Sequence, residues 1–171
     1  TTTGFSVSPA LPTGLVFDTI TGVISGTPTV AAPLTSYVVT ANNSSGSTTF
    51  TLSFAVNKTA PTLGAMTAVV KTYGDANFTI ATPTSNSTGA ITLSSSDTTV
   101  ATITGNTVTI VGAGTATITA TQVADANYLV GTITTTLTVN KATPVLSNFN
   151  ALTKTTDDAP FSLTAPTSTG G

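Results

Sequence analysis

Side chains able to do chemistry are sparse in this sequence: Asp18, Asp75, Asp97, Asp125, Asp157 and Asp158, the lysines Lys58, Lys71, Lys141 and Lys154, and many Ser and Thr hydroxyls. There is no His, Cys, Trp, Arg or Glu. The hydroxyls therefore lack a partner base and thiol chemistry is excluded, so no catalytic residue and no cofactor is assigned. A calcium ion takes six to eight oxygens, usually from several converging carboxylates. Only Asp157 and Asp158 adjoin, and residues 56–61 and 139–144 hold no acid, so no metal site is expected. Asp75, Asp97 and Asp125 are read as turn residues whose carboxylates bond their own backbone.

Charge narrows the partners. Four lysines without arginine, at a net charge of −2, cannot neutralise a phosphate backbone or form a polybasic membrane contact, so nucleic acid is excluded. No apolar run approaches the 18 residues or so that a spanning helix needs, so no direct membrane insertion is expected. Charged residues are 6% of the chain, against roughly 25% in ordinary soluble domains. Threonine, 44 residues of 171, supplies the polarity instead, and its β-branched hydroxyl side chain suits a strand face that meets water. Rows such as Thr115, Thr117, Thr119 and Thr132, Thr134, Thr136, Thr138 resemble the threonine ladders of ice-binding proteins. Sandwich strands are short and twisted, so a plain solvent face is the reading adopted.

The elements that must position these residues come as repeats. Asn57-Lys58-Thr59-Ala60-Pro61 returns 83 residues later as Asn140-Lys141-Ala142-Thr143-Pro144, and Lys71-Thr72 with Asp75-Ala76 and Phe78 returns as Lys154-Thr155 with Asp158-Ala159 and Phe161. Thirteen of 32 aligned positions are identical without a gap, which marks a tandem array. The expected division is 1–56 as the C-terminal part of one sandwich, 57–139 as a complete one, and 140–171 as the opening strands of a third. A module of this size buries only about 60% of its unfolded surface, so its core is expected to be thin.

Alternation sets the strands. Phe5-Ser6-Val7-Ser8, Leu15-Val16-Phe17 and Val23-Ile24 are punctuated by Gly and Pro, and a strand through Tyr37, Val39 and Ala41 stops at Asn42 to Gly46. Phe50, Leu52, Phe54 and Val56 follow at strict period two and are expected on a core face. In the middle repeat the strands are read at 78–82, 90–94, 100–104, 107–111, 115–121 and 132–139, with another before Lys71. Gly105-Asn106 closes a hairpin, and Ala116, Ile118 and Ala120 mark the buried face of 115–121. Short strands at this spacing with no helical period give an all-β class.

Leu11-Pro12-Thr13-Gly14-Leu15-Val16-Phe17-Asp18 followed by Thr21-Gly22-Val23-Ile24-Ser25-Gly26-Thr27-Pro28 resembles the signature of immunoglobulin-like (Ig-like) repeats of large bacterial surface and secreted proteins, over residues 5–56. Ser95 to Ile103 and Val111 to Ala120 resemble the bacterial Ig-like repeats of adhesins, over residues 58–139. The resemblance implies tandem Ig-like or cadherin-like antiparallel β-sandwiches, and about two strands ahead of Phe5, so that the chain would begin inside its first domain. It implies a structural spacer or stalk module of a long cell-surface adhesin or filament, extracellular at the bacterial surface, extending a distal binding domain. Strands of about seven residues, with loops and linker, would give on the order of 30–40 Å of reach per module. The implied partners are neighbouring repeats, with secretion machinery or other filament components also compatible. The alternative is a spacer or carbohydrate-binding accessory module of a secreted polysaccharide-active enzyme, against which stands the scarcity of aromatic platforms.

Two modifications follow from resemblance. Asp18-Thr19-Ile20 and Asp97-Thr98-Thr99 are similar to the O-glycosylation motif of exported Bacteroidota proteins, making Thr19 and Thr98 candidate sites. Some surface Ig-like domains carry Lys to Asn isopeptide bonds, which need a buried Lys beside an Asn and an acid. The four lysines here are read instead as linker or edge-strand residues in water. Intact-mass measurement tests both: the unmodified mass is expected from a recombinant host, a deficit of one ammonia would reveal the crosslink, and hexose increments on natively produced protein would mark the glycosylation.

Overall fold

The computed structural model describes residues 4–147 and 151–169. All regular structure among them is β, as expected: β1 (Gly4–Ser8), β2 (Leu15–Phe17), β3 (Ile24–Gly26), β4 (Ala32–Asn43), β5 (Gly46–Val56), β6 (Val69–Thr72), β7 (Phe78–Thr79), β8 (Ile91–Ser95), β9 (Ala101–Thr104), β10 (Thr107–Ile110), β11 (Gly114–Gln122), β12 (Gly131–Asn140), β13 (Val145–Ser147) and β14 (Thr167–Thr169). By contact the chain forms two compact units. One contains the residues up to Gly64 together with 84–90 and 122–131, and the other contains Ala65–Pro83, Ile91–Thr121 and the residues from Thr132 onward.

In the first unit β1, β4 and β5 form an antiparallel sheet in that order, and β2 and β3 pair as a separate two-stranded ribbon. The β4–β5 hairpin turns through Ser44 and Ser45, with Asn43 opposite Gly46. Pairing puts Thr35, Tyr37 and Val39 opposite Phe54, Leu52 and Phe50, and residues directly opposite share a face. Tyr37 is 2% exposed and its ring stacks on Phe54 at 4.6 Å. The expectation that all of Phe50, Leu52, Phe54 and Val56 line a core needs correction, because Phe50 is 71% exposed and Leu52 36%. Both lie on β5, an edge strand of the sheet, and Phe50, opposite Val39, stays largely open to solvent.

In the second unit β7, β10 and β9 form one sheet and β6, β12, β11 and β8 the other. Val108 and Ala101 from the first sheet meet Ile118, Ala116, Leu137 and Val139 from the second in a single buried cluster, with Ile80 and Val100 at its margin. This is a β-sandwich core: two inner faces interdigitate, and each strand turns its alternate residues outward. In β11 the alternation is complete, with Ala116, Ile118 and Ala120 buried and Thr115 and Thr117 exposed. The expected hairpin is present, with Thr104 opposite Thr107 and Gly105 at φ 59°, a left-handed conformation that a Cβ would disfavour. β6 adds parallel to β12, Val69 opposite Leu137, which closes the edge beside the core.

The repeat is visible in local structure. Leu63 bridges Ser85, and 83 residues on Leu146 pairs with Ser168 within the β13–β14 ribbon. Lys71 stands over the Phe78 ring at 5.0 Å, and Lys154 over Phe161 at 5.2 Å. Burial differs sharply between the copies. Ile80 is 8% exposed, whereas its counterpart Leu163 is 61% exposed, because no second sheet among the described residues packs over it.

These positions separate in mutagenesis. Ile118→Ala is expected to cost about 2–5 kcal/mol in urea unfolding, the range for a large core truncation. Phe50→Ser is expected to stay within about 0.5 kcal/mol, as exposed substitutions do. A comparable loss at Phe50 would show that this face is covered in solution.

Candidate functional site around Asp125

The densest polar constellation lies in the first unit, where the chain leaving β5 meets the loops 84–90 and 122–131. The loop between β11 and β12 begins as an Asx turn, since a short carboxylate can cap the N–H groups that follow it. Asp125 Oδ1 accepts from the backbone N–H groups of Asn127 and Tyr128, each at 2.8 Å. Its other oxygen accepts from Ser87 Oγ at 2.9 Å, Thr88 N at 2.9 Å and Thr88 Oγ1 at 3.0 Å. One carboxylate thus ties two loops together. Five donors favour the ionised form, and the pKa of Asp125 is held well below the ordinary carboxylate range, led by the Thr88 and Asn127 N–H groups and opposed by modest desolvation.

The shaped loop grips the chain that follows β5. Thr59 N–H donates to the Asn127 carbonyl at 3.1 Å, and Leu129 N–H donates to the Thr59 carbonyl at 2.8 Å. Lys58 Nζ donates to the Asp125 carbonyl at 2.6 Å. The Asn127 side chain reaches further: its Oδ1 accepts from Ala31 N at 2.9 Å, and its Nδ2 donates to the Thr29 carbonyl at 3.3 Å. A primary amide sets an acceptor oxygen beside a donor nitrogen, and here both atoms bond one stretch of backbone, the loop between β3 and β4. Pro61 lies against Gly131, where an added Cβ would sit 2.4 Å from the proline ring.

Beneath the loops Gln122 is 1% exposed. Its Oε1 accepts from Ser85 Oγ at 2.6 Å, while its Nε2 donates to the carbonyls of Ser87 and Gly89 at 3.1 and 2.8 Å. A buried amide with every contact satisfied fixes loop geometry strongly, since any unmet partner would pay full desolvation.

Other residues singled out from sequence are dispersed. Asp18 Oδ1 accepts from Ile20 N and Thr21 N, Asp97 Oδ1 from Thr99 N and Oγ1, and Asp75 Oδ2 from Thr72 N. These are the turn roles expected of Asp75, Asp97 and Asp125, and at Asp18 and Asp97 they lower the carboxyl pKa. Asp158 repeats the Asp75 arrangement by accepting from Thr155 N. Thr19 and Thr98 lie exposed in turns. Lys71 rests over the Phe78 ring and Lys58 donates to the Asp125 carbonyl. Sequence reasoning missed Gln122 and the reach of Asn127. The available signals were that Gln122 is the one glutamine of the chain, and that Asp125-Ala126-Asn127-Tyr128 echoes Asp75-Ala76-Asn77-Phe78.

Comparison with known proteins agrees with the Ig-like resemblance at the N-terminal end. Residues 1–59 match the family described as "Putative Ig domain", and no curated protein matches. Among solved structures, the chain is similar to domains 4 and 5 of the S-layer protein SbsC at 19% identity and TM-score 0.32, covering 80% of this chain and 70% of that one. It is also similar to the endo-fucoidan hydrolase MfFcnA4 of glycoside hydrolase family 107 at 18% identity and TM-score 0.33, covering 86% of this chain and 26% of that one. A further endo-fucoidan hydrolase, MfFcnA9, gives 19% identity and TM-score 0.28, with 81% and 28% covered. The chain thus spans about a quarter of each hydrolase.

Acid should spare the cluster over an unusually wide range. A carboxyl whose pKa is lowered in the folded state contributes its full stabilisation above the unfolded value near 3.9, and loses it only as pH falls through the lowered value. Ala31, Thr59 and Thr88 amides are therefore expected to keep their hydrogen-exchange protection at pH 4 and to lose it only in stronger acid; loss near pH 4 would show that Asp125 is not bonded as described. Gln122→Leu, which leaves two part-buried carbonyls without their donor, is expected to cost about 1–3 kcal/mol in denaturant unfolding.

Proposed function

We propose that this chain is a run of non-catalytic Ig-like modules, divided at Asn57 and Asn140, serving as a spacer in a long extracellular protein of a bacterial surface, an adhesin or filament whose distal domain does the binding. The observation that carries the reading is the grip on the linker: Thr59 is hydrogen-bonded through both its N–H and its C=O by the Asp125 loop, and Asn127 holds the β3–β4 loop from the same side. A spacer transmits position only if its joints resist bending, and a linker bonded on both faces of one residue has few conformations left. Pro61 narrows the linker further, because its ring fixes φ. The Ig-like match over residues 1–59 supports the class of module. Neighbouring modules are the first partners; secretion machinery and other filament components are the next.

Two experiments test the reading. Deleting residues 57–139 from the full-length gene is expected to leave export intact and to reduce adhesion of whole cells by shortening the stalk, with surface labelling by antibody unchanged in amount. A glycan array probed with the purified chain is expected to show no binding. Reproducible recognition of a glycan class would replace the spacer with an accessory module of a polysaccharide-active protein.

A further inference from the structure

The first joint is built from three parts in a fixed order. They are the loop before the penultimate strand of a sandwich (Thr29–Ala31, before β4), the linker after its last strand (Asn57–Pro61, after β5), and a carboxylate-stapled loop that settles on both (Asp125–Gly131). The chain builds the first two parts again. Val111-Gly112-Ala113 precedes β11, the penultimate strand of the second sandwich, and Lys141 to Pro144 follow β12, its last strand, which ends at Asn140. Lys141, Ala142 and Pro144 stand at the repeat positions of Lys58, Thr59 and Pro61. These two parts, with Tyr73, enclose an open cavity of about 470 Å³. Tyr73 N–H donates to the Asn140 carbonyl at 2.8 Å, and Val111 and Gly112 N–H groups both donate to the Val100 carbonyl, so the walls are anchored. Val111 is 46% exposed and Tyr73 39%.

We infer that this cavity is a second joint socket, whose occupant is the loop of a following Ig-like repeat with the sequence character Asp-x-Asn-aromatic-x-x-Gly. The inference rests on the tandem-module reading above and adds to it a named receptor surface. The chemistry of the first joint specifies the ligand. An aspartate shapes the loop by accepting its own N–H groups, leaving main-chain groups to pair with Ala142 as they pair with Thr59. Those bonds are to backbone, so the change from Thr to Ala at this position is tolerated. The asparagine amide presents its donor and acceptor to the backbone of 111–113. Lys141 meets a loop carbonyl, as Lys58 meets that of Asp125. The glycine leaves room for the Pro144 ring, as Gly131 does for Pro61. Tyr73 and Val111 supply apolar contact for the aromatic residue.

The repeat beginning at Asn140 corresponds to residues 57–88, so appending a second copy of residues 89–139 after Gly171 completes it on the full chain. Hydrogen exchange is then read at Val111–Ala113 and Lys141–Ala142, against the original chain and against an extended chain in which the appended counterpart of Asn127 is alanine. The expected result is exchange slowed by about tenfold or more, the effect of one added hydrogen bond, with most of the gain at 111–113 lost in the alanine control. Ala113→Arg, which fills the socket from its rim, is expected to abolish the slowing while the appended repeat stays folded. A folded appended repeat with unchanged exchange at these amides would overturn the socket and leave the tandem reading standing. An appended repeat that stays unfolded, seen as random-coil amide shifts, would overturn both.

Discussion

Threonine and alkyl side chains alternate along β11 and, apart from the buried Thr135, along β12, and on that alternation the rest of the structure depends. A strand presents successive residues to opposite faces, so a period of two divides every strand into a buried and a wetted half. Ala116, Ile118, Leu137 and Val139 form the buried half and threonine most of the wetted half. Threonine keeps the β-branched shape that favours extended backbone while offering water a hydroxyl, which lets a chain with 6% charged residues cover its strands without lysine and glutamate. The same economy leaves a small core. Among the described residues the largest side chains buried beyond 98% are Ile118, Leu137, Gln122 and Val108.

A small core makes the polar joint consequential. Apolar burial is non-directional, so it favours compactness without setting the angle at which a linker leaves a sheet. Hydrogen bonds to a carboxylate and a primary amide are directional and set that angle. Asp125 and Asn127 divide the work: the carboxylate, bonded to residues near it and to the 84–90 loop, makes the loop rigid, and the amide spends that rigidity on a segment nearly 100 positions away in sequence. Gln122 supports both from below. The arrangement belongs to backbone geometry more than to side-chain identity at the receiving end, since Thr59 is held through its own N–H and C=O.

Unburied apolar residues mark where a partner sheet is lacking among the described residues. Leu146, Phe161 and Leu163 occupy the repeat positions of Leu63, Phe78 and Ile80, with the same Lys and aromatic pairing and the same β-bridge register. The same local contacts thus form in both segments, whereas Ile80 owes its burial to residues of 100–139. Phe50 and Leu52 make the same point in the first unit, where the period-two pattern is intact but burial is deep at the Tyr37–Phe54 stack and slight at Phe50.

By itself the sequence determined the class, the strands and the repeat, because alternation, turn residues and an 83-residue period are local or self-referential signals. Strand positions in 57–139 fall within a few residues of those expected, and Asp75, Asp97 and Asp125 are turn caps because an aspartate needs only its own neighbours to cap. Only the tertiary structure decided which apolar faces are covered, and which polar residue leaves its turn to hold a distant one. Period two says that Phe50 and Ile118 each share a face with alkyl neighbours, yet burial depends on whether a second sheet lies opposite, which no strand encodes alone. Asn127 in sequence is one more turn asparagine; its reach to Thr29 and Ala31 exists because folding brings the β11–β12 loop beside the β3–β4 loop. The sequence signal there is a repeated tetrapeptide without a partner written next to it.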